Sequence, residues 1–374
     1  LDKTFIQPGK TIGIIGGGQL GRMMALAAKE AGYRVAVLDP TKNCPCGQVA
    51  DIQLTADYDD KQALLQLSEN SDVITFEFEN IDYDALQWLT EIAYVPQGAE
   101  IIRITQDRIL EKNALDHSGV KVAPYWVIET VEDLQNGAEQ LGFPCVLKTA
   151  RGGYDGKGQF ILKDEEDIEE ASALLQHGNC VLESWVPFEK EVSVIVTRNV
   201  SGEMKCFPIG ENIHVNNILH ETIVPARTTD EVMKNAYTLA KKIAEHLNLV
   251  GTLAVEMFLT RDGELFVNEL APRPHNSGHY SIEACEISQF AQHVRAICNW
   301  PLREPRLLSP VIMVNILGQH VDKVLEQIPQ QPKWSIHLYG KEEPKYQRKM
   351  GHVTVLTEDV ESTLLELEQS NIWK

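Results

Sequence analysis

No apolar run in this sequence approaches the roughly 20 residues needed to cross a bilayer, so no membrane span is expected. The first residues, Leu1-Asp2-Lys3-Thr4, lack the basic and apolar regions of a signal peptide, and the missing initiator methionine reads as a trimmed chain. Basic residues are scarce: 34 Lys and Arg stand against 54 Asp and Glu, a net charge of −20. So acidic a chain is a poor partner for nucleic acid or anionic membranes, and any anion it binds must sit in a local basic pocket. Patterned cysteine is lacking too. The seven cysteines are scattered, and Cys44-Pro45-Cys46 is too tight for a zinc knuckle and has no second pair. Cys145 and Cys180 lie in apolar runs as small hydrophobes, so reduced thiols and a cytoplasmic location are expected. The 374 residues, 43% hydrophobic, allow two or three domains.

What is present centres on residues 145–159. The apolar run Cys145-Val146-Leu147 ends at Lys148, and Gly152, Gly153, Gly156 and Gly158 follow, with Arg151 and Lys157 among them. A strand that delivers a lysine into a flexible cationic loop suits polyphosphate, because glycine lets backbone N–H groups approach oxygens closely. No Gly-Lys-Ser/Thr closes the loop, which excludes a Walker A motif. A mobile surface hairpin with incidental lysines fits the same residues, and the stretch alone leaves both readings open.

A second glycine cluster lies near the N-terminus. Residues 11–15 read as a buried strand and 34–39 as another. Between them, residues 19–31 read as a helix with Leu20, Met23, Met24, Ala27 and Ala28 on one face. Gly16-x-Gly18-x-x-Gly21 at the first turn, with Asp39 ending the second strand, is the pattern of a dinucleotide-binding βαβ unit. The helix start at Gln19-Leu20 suits any phosphate. A later strand, 72–76, runs into Glu77-Phe78-Glu79-Asn80 at the end of the sheet where open α/β folds bind ligands. Those acids also suit a helix cap.

Further on, residues 106–118 read as a polar helix carrying Asp107, Arg108 and Lys112. Residues 165–175 read as an acidic helix, 214–225 as irregular, 230–247 as a long amphipathic helix and 282–297 as one helix. Two strand patterns, 251–260 and 264–270, meet at Asp262-Gly263, a favoured two-residue hairpin turn. That turn puts Phe258 opposite Val267, Thr260 opposite Leu265, and Glu256 opposite Glu269. Facing carboxylates repel unless a cation lies between them, and Mg²⁺ takes one or two carboxylates plus phosphate oxygens. Two acids on a solvated face are the plainer reading, but Phe258, Leu265 and Val267 argue for burial. Strict alternation puts Asn268 on the other face. Next comes Ala271-Pro272-Arg273-Pro274-His275-Asn276-Ser277-Gly278-His279, a stiff polar loop able to hold a second anion. The densest basic cluster, Lys341, Lys345, Arg348 and Lys349, reads as a phosphate clamp or as a solvated hairpin.

Taken together, Ile14-Ile15-Gly16-Gly17-Gly18-Gln19-Leu20-Gly21-Arg22-Met23, Glu77-Phe78-Glu79-Asn80, the loop 152–159, Val267-Asn268-Glu269, residues 271–279 and Lys349-Met350-Gly351-His352-Val353-Thr354 resemble the ATP-grasp superfamily. Within it they most resemble the 5-(carboxyamino)imidazole ribonucleotide synthase family of purine biosynthesis, along nearly the whole chain. The resemblance implies a mixed α/β and α+β fold. Residues 1–105 would form a doubly wound parallel-sheet domain, 106–299 the ATP-grasp domain and 300–374 a small C-terminal domain. It implies an ATP-grasp ligase that uses ATP, Mg²⁺ and bicarbonate to carboxylate 5-aminoimidazole ribonucleotide through carboxyphosphate, with that species or CO₂ released from it captured by the exocyclic amine, as a cytoplasmic homodimer.

Carried over by position, Arg108 and Lys148 would meet the ATP phosphates. Gly153, Tyr154, Asp155, Gly156, Lys157, Gly158 and Gln159 would form the lid. Glu183, Ser184, Trp185 and Val186 would hold adenine, Glu191 the ribose, with His214 nearby, and Glu256, Asn268 and Glu269 the metal. Gln19, Leu20, Glu77, Tyr154, Asp155, Lys341 and Arg348 would bind the ribonucleotide. Arg273, His275 and Asn276 would face bicarbonate. Asp155 would orient or deprotonate the amine. A formate-using glycinamide ribonucleotide transformylase shares the layout, but fits the loop 152–156 and residues 273–279 less well. An NAD-dependent oxidoreductase would leave Lys148 and the Glu256/Glu269 pair without a task. Intact acids and the lysine argue against a non-catalytic nucleotide-binding module.

Overall fold

Short β-branched runs build the first sheet. Thr11–Ile15 lies parallel between Arg34–Leu38 and Val73–Phe76, with Ile52–Leu54 outermost. Strands buried on both faces read as continuous apolar runs, and two cores flank this sheet. On one side Met23, Met24, Ala25 and Ala28 of the helix Gln19–Glu30 meet Ile12, Ile14, Val35 and Val37. On the other, Ile15, Leu38, Ile74 and Phe76 meet the helices Lys61–Glu69 and Tyr83–Ile92. The computed structural model describes residues 5–153 and 156–373.

A four-stranded antiparallel sheet follows, in the order Tyr125–Ile128, Cys180–Ser184, Cys145–Thr149, Gln159–Leu162, covered by the helix Val131–Leu141. Lys148 pairs with Gln159, so the glycine loop is a hairpin tip. The single acidic helix expected at 165–175 is instead three short pieces, Glu165–Asp167, Ile168–Ala171 and Ser172–His177. Only Ala171 in them is buried, and without an apolar stripe nothing stabilises a longer helix.

The largest sheet has nine strands among the described residues. Near one edge, the strands Phe188–Arg198 and Gly251–Thr260 bury Val192, Val194, Val196, Leu253, Val255 and Met257 under the helix Asp230–His246. Residues 214–225, expected to be irregular, belong to a hairpin of Gly210–Val215 and Ile218–Val224. Asn216 and Asn217 turn it with φ of 51° and 63°, the left-handed pair of a two-residue hairpin turn. The helix expected at 282–297 is broken into Ser281–Ala284 and Gln289–Ile297. Cys285 bridges to Leu307 between them, and Ser288 caps the second piece. Val311–Leu317 pairs with Ile218–Val224, so the last strands extend this sheet. Among the described residues no helix is long and apolar enough to cross a membrane.

Candidate functional site

The hairpin of Gly251–Thr260 and Leu265–Ala271 reaches its key pairing by two offsets. Thr260 donates to the Glu264 carbonyl at 3.0 Å, so the loop holds three residues rather than two. Phe258 therefore faces Phe266 and Leu259 faces Leu265, in place of the expected Phe258–Val267 and Thr260–Leu265 pairs. Asn268 is then an extra residue in its strand, and this bulge restores Glu256 opposite Glu269. The bulge also brings the consecutive side chains Asn268 and Glu269 to one cleft, which strict alternation forbids. The preceding helix, Arg108–Ser118, clamps it: Lys112 donates to the Asn268 carbonyl at 3.4 Å, and the Leu270 N–H donates to Glu111 at 2.6 Å.

This cleft, of about 430 Å³, lies between the four-stranded and nine-stranded sheets. Lys148 points in from the end of its strand, 3.0 Å from the Glu183 carboxylate and 3.4 Å from Asn268 Oδ1. Lys112, fully buried, lies 3.4 Å from the same carboxylate. Burial alone would raise Glu183, but Lys148 and Lys112 outweigh it and hold the acid at about 2. Burial, with Arg108 and Lys112 adding repulsion, leaves Lys148 lowered despite Glu183. Arg108 stands 3.5 Å from Glu269. Lys148 and Arg108 thus line one wall, with Lys112 buried behind Glu183, a ready site for a polyanion.

One side of the cleft is apolar and stacked. Phe188 and Phe258 lie face to face at 4.6 Å, with Trp185 6.5 Å from Phe188. Val146, Ile161 and Val186 complete the slot beside Ser184. The Val186 carbonyl accepts from Phe188, while the Val186 N–H has no partner among the described residues. His214 stands 3.2 Å from Glu191 at the rim; burial lowers it, but Glu191 outweighs burial and the ring is raised. Gly153, Gly156, Lys157, Gly158 and Gln159 line the cleft mouth. Gly156, at φ +79°, sits so close to Asn217 that a Cβ would meet its amide at 2.4 Å. Tyr154 and Asp155 lie outside the described residues.

Opposite, Arg273 pairs with Glu79 at 2.7 Å. His275 Nδ1 receives Ser277 N–H at 3.3 Å, so its proton lies on Nε2, 3.0 Å from Glu256. Burial, with Arg273 next, keeps this ring well below its ordinary range and so neutral. Burial and the facing Glu269 push Glu256 up. Among the described residues no three His, Cys, Asp or Glu side chains form a metal cage. Two facing carboxylates and one amide oxygen instead suit a hard ion such as Mg²⁺, which completes its shell with phosphate and water.

The N-terminal glycine loop behaves differently. The Gly17 N–H donates to Asp39 at 2.7 Å, and the N–H groups of Gly18 and Gly21 donate to Glu77, the latter at 2.6 Å. The chain's own carboxylates take the amides that a pyrophosphate would need. A Cβ at Gly17 would meet Cys44 Sγ at 2.2 Å, so the glycines serve this close packing. Gln19 and Leu20 open the helix beside Glu77. Lys341 donates to the Lys349 carbonyl at 2.7 Å and lies within the fields of Glu77 and Arg348. Burial, with Arg348 next, brings it down to about 8. Arg348 donates to the Glu343 carbonyl at 3.1 Å and is exposed.

Sequence reasoning missed Glu111 as a site member and Lys112 as the buried cation behind it, whereas Glu79 was placed at the ligand end of the first sheet and Lys349 in the basic cluster and the resembling motif. Arg108, Glu111, Lys112 and Leu115 recur at the i, i+3, i+4, i+7 spacing of a buried helical stripe, and charges in such a stripe are the signal that could have found the first two.

Comparison with known proteins gives a consistent outcome. The ATP-grasp domain family model matches residues 113–290, the ribonucleotide synthetase pre-ATP-grasp domain 9–106, and the phosphoribosylaminoimidazole carboxylase C-terminal domain 311–365. The N5-carboxyaminoimidazole ribonucleotide synthase of Bacillus subtilis is 56% identical over 374 residues, covering 100% of this chain and 98% of that protein. A crystal structure of an N5-carboxyaminoimidazole ribonucleotide synthetase in complex with ADP superposes with a TM-score of 0.97 at 60% identity, covering 99% and 98% of the two chains. The Aspergillus clavatus synthase in complex with ADP and 5-aminoimidazole ribonucleotide superposes with a TM-score of 0.91 at 32% identity, covering 97% and 98%.

Proposed function

The chain belongs to the N5-carboxyaminoimidazole ribonucleotide synthase family of ATP-grasp ligases, and on that premise we propose how its residues carry the reaction. The enzyme carboxylates 5-aminoimidazole ribonucleotide at the expense of ATP, a step of purine biosynthesis. The observation that carries the reading is the common wall formed by Lys148, Arg108, Glu256, Asn268 and Glu269, with Arg273, His275 and Asn276 in the same cleft.

Adenine fits the Phe188/Phe258 slot, with the Val186 N–H free to donate to it. Lys148 and Arg108 take the triphosphate. Glu183 acts through Lys148, holding its ammonium in place. Glu191 takes the ribose. Glu256, Asn268 and Glu269 hold Mg²⁺, which would neutralise charge on the transferring phosphoryl group. Bicarbonate, held near Arg273, His275 and Asn276, attacks the γ-phosphorus and ADP leaves. The carboxyphosphate so formed hydrolyses readily, so closure of the glycine loop over the cleft has a chemical purpose. The substrate's exocyclic amine takes the carboxyl group and phosphate departs, with Asp155 assigned to orient or deprotonate the amine. Gln19, Leu20, Glu77, Lys341 and Arg348 hold the ribonucleotide, whose phosphate suits the helix start and the two cations.

The division at residues 105 and 299, a homodimeric state and a cytoplasmic setting complete the proposal. The family resemblance supports the first two, and the seven free thiols suit a reducing compartment. A coupled ADP-release assay tests the whole reading. Full rate is expected only with both aminoimidazole ribonucleotide and bicarbonate. Full rate with formate and glycinamide ribonucleotide instead would transfer the chain to the transformylase reading.

A further inference from the structure

Gln289 opens the helix Gln289–Ile297, has no exposed surface, and belongs to no part of the machinery described above. Its amide is oriented by backbone groups that leave no choice. Oε1 lies 2.9 Å from the His275 N–H, which can only donate, and Nε2 lies 2.7 Å from the His275 carbonyl, which can only accept. Nε2 has a second hydrogen, and 3.2 Å away stands Nδ1 of His279. That nitrogen must therefore present its lone pair, which leaves the ring proton on Nε2. His279 Nε2 lies 3.0 Å from Asn276 Oδ1. The Asn276 oxygen is thereby engaged. Its NH₂ group has no partner among the described residues, and Asn276 lines the cleft.

We infer that Gln289 is a positioning residue: it sets the ring tautomer of His279, which turns Asn276 so that its amide NH₂ donates into the anion-binding end of the cleft. The inference rests on the reading that Asn276 faces bicarbonate. The opposite turn of the same amide would aim a carbonyl oxygen at an anion. Three further features hold the relay. His279 stacks on His352 at 4.7 Å and packs on Phe290 at 5.6 Å, which fixes its plane. Burial, with His337 next, pushes its ring down to about 3, so it stays neutral. A Cβ on Gly278 would meet Gln289 Oε1 at 2.4 Å, so only glycine lets this loop close on the amide.

Gln289→Glu tests the relay in the full-length enzyme. A glutamate keeps the shape and still accepts from the His275 N–H, but its second oxygen faces the His275 carbonyl and, when ionised, has no hydrogen for either that carbonyl or His279. The expected result is transfer of the His279 proton to Nδ1, read by ¹⁵N spectra of histidine-labelled protein. The KM for bicarbonate should rise about tenfold, the scale of one lost hydrogen bond to a charged group, with the KM for ATP little changed. Asn276→Asp tests the underlying reading and should also raise the bicarbonate KM. If it does not, the reading of Asn276 fails and the relay falls with it. If Asn276→Asp raises that KM while Gln289→Glu leaves it unchanged, or raises both KM values equally, the relay alone is overturned. Should Gln289→Glu fail to fold, a His279 with its proton on Nδ1 in the unmutated protein overturns it.

Discussion

Two glycine-rich turns in this chain look alike in composition and sit in different surroundings. Both follow a short buried strand, and glycine lets the backbone of both come close to a neighbour. At residues 16–21 the anions are internal: Asp39 and Glu77 reach back and take the N–H groups of Gly17, Gly18 and Gly21. Among the described residues no such acid reaches the turn at 152–158, and the neighbouring strand and helix instead bring Lys148 and Arg108 to the cleft. Glycine spacing marks only where a backbone can come close. Which anion comes close is decided by charges that lie far away in sequence.

The comparison can be broken at its charged ends. The largest effect is expected from Glu269→Gln, which weakens the hard-ion site opposite Lys148. Mg²⁺-dependent ADP release should fall by about 10²-fold or more, with an unchanged circular dichroism spectrum. Retained turnover would remove metal binding from the second loop's neighbourhood. Next is Glu77→Gln at the first loop. One arm of the amide would bring N–H groups against N–H groups, so stability should drop by roughly 1–3 kcal/mol in denaturant titration. An unchanged midpoint would mean that the internal carboxylate does not hold the first loop. The smallest effect is expected from Glu111→Gln, behind the second site. Burial outweighs Arg108 and raises Glu111 to about 7, so the folded chain holds a proton there that the unfolded chain releases near its ordinary 4.5. Stability from this group is full below that ordinary value and declines as pH rises to about 7. The variant should therefore gain on the parent at pH 8 and match it near pH 4. An equal difference at both pH values would show that the acid does not titrate there.

Much of this was legible beforehand because it depends on local pattern. The parallel sheet, the loop hairpin at Lys148 and the facing pair Glu256/Glu269 follow from apolar periodicity and turn residues. The pair was reached although the turn was misread, because the three-residue loop and the Asn268 bulge cancel. The Asn216-Asn217 turn was visible in principle, since two left-handed residues between strands are a hairpin signal, and it was passed over in a polar stretch. Glu111, Lys112 and Gln289 were hidden for another reason. A polar residue on a helix looks solvated until tertiary contacts bury it, and their partners lie at Leu270, Asn268 and His275.

The pairing of Ile218–Val224 with Val311–Leu317 carries one more consequence. A chain cut near residue 300 would not merely lose the proposed ribonucleotide contacts Lys341 and Arg348. It would strip the cover from a strand whose Ile218, Leu219, Ile223 and Val224 are buried in the whole protein. The result would be an open row of unpaired N–H and C=O groups, a template for chain-to-chain association. The last fifth of the molecule is thus also the guard that keeps its largest sheet from recruiting strangers.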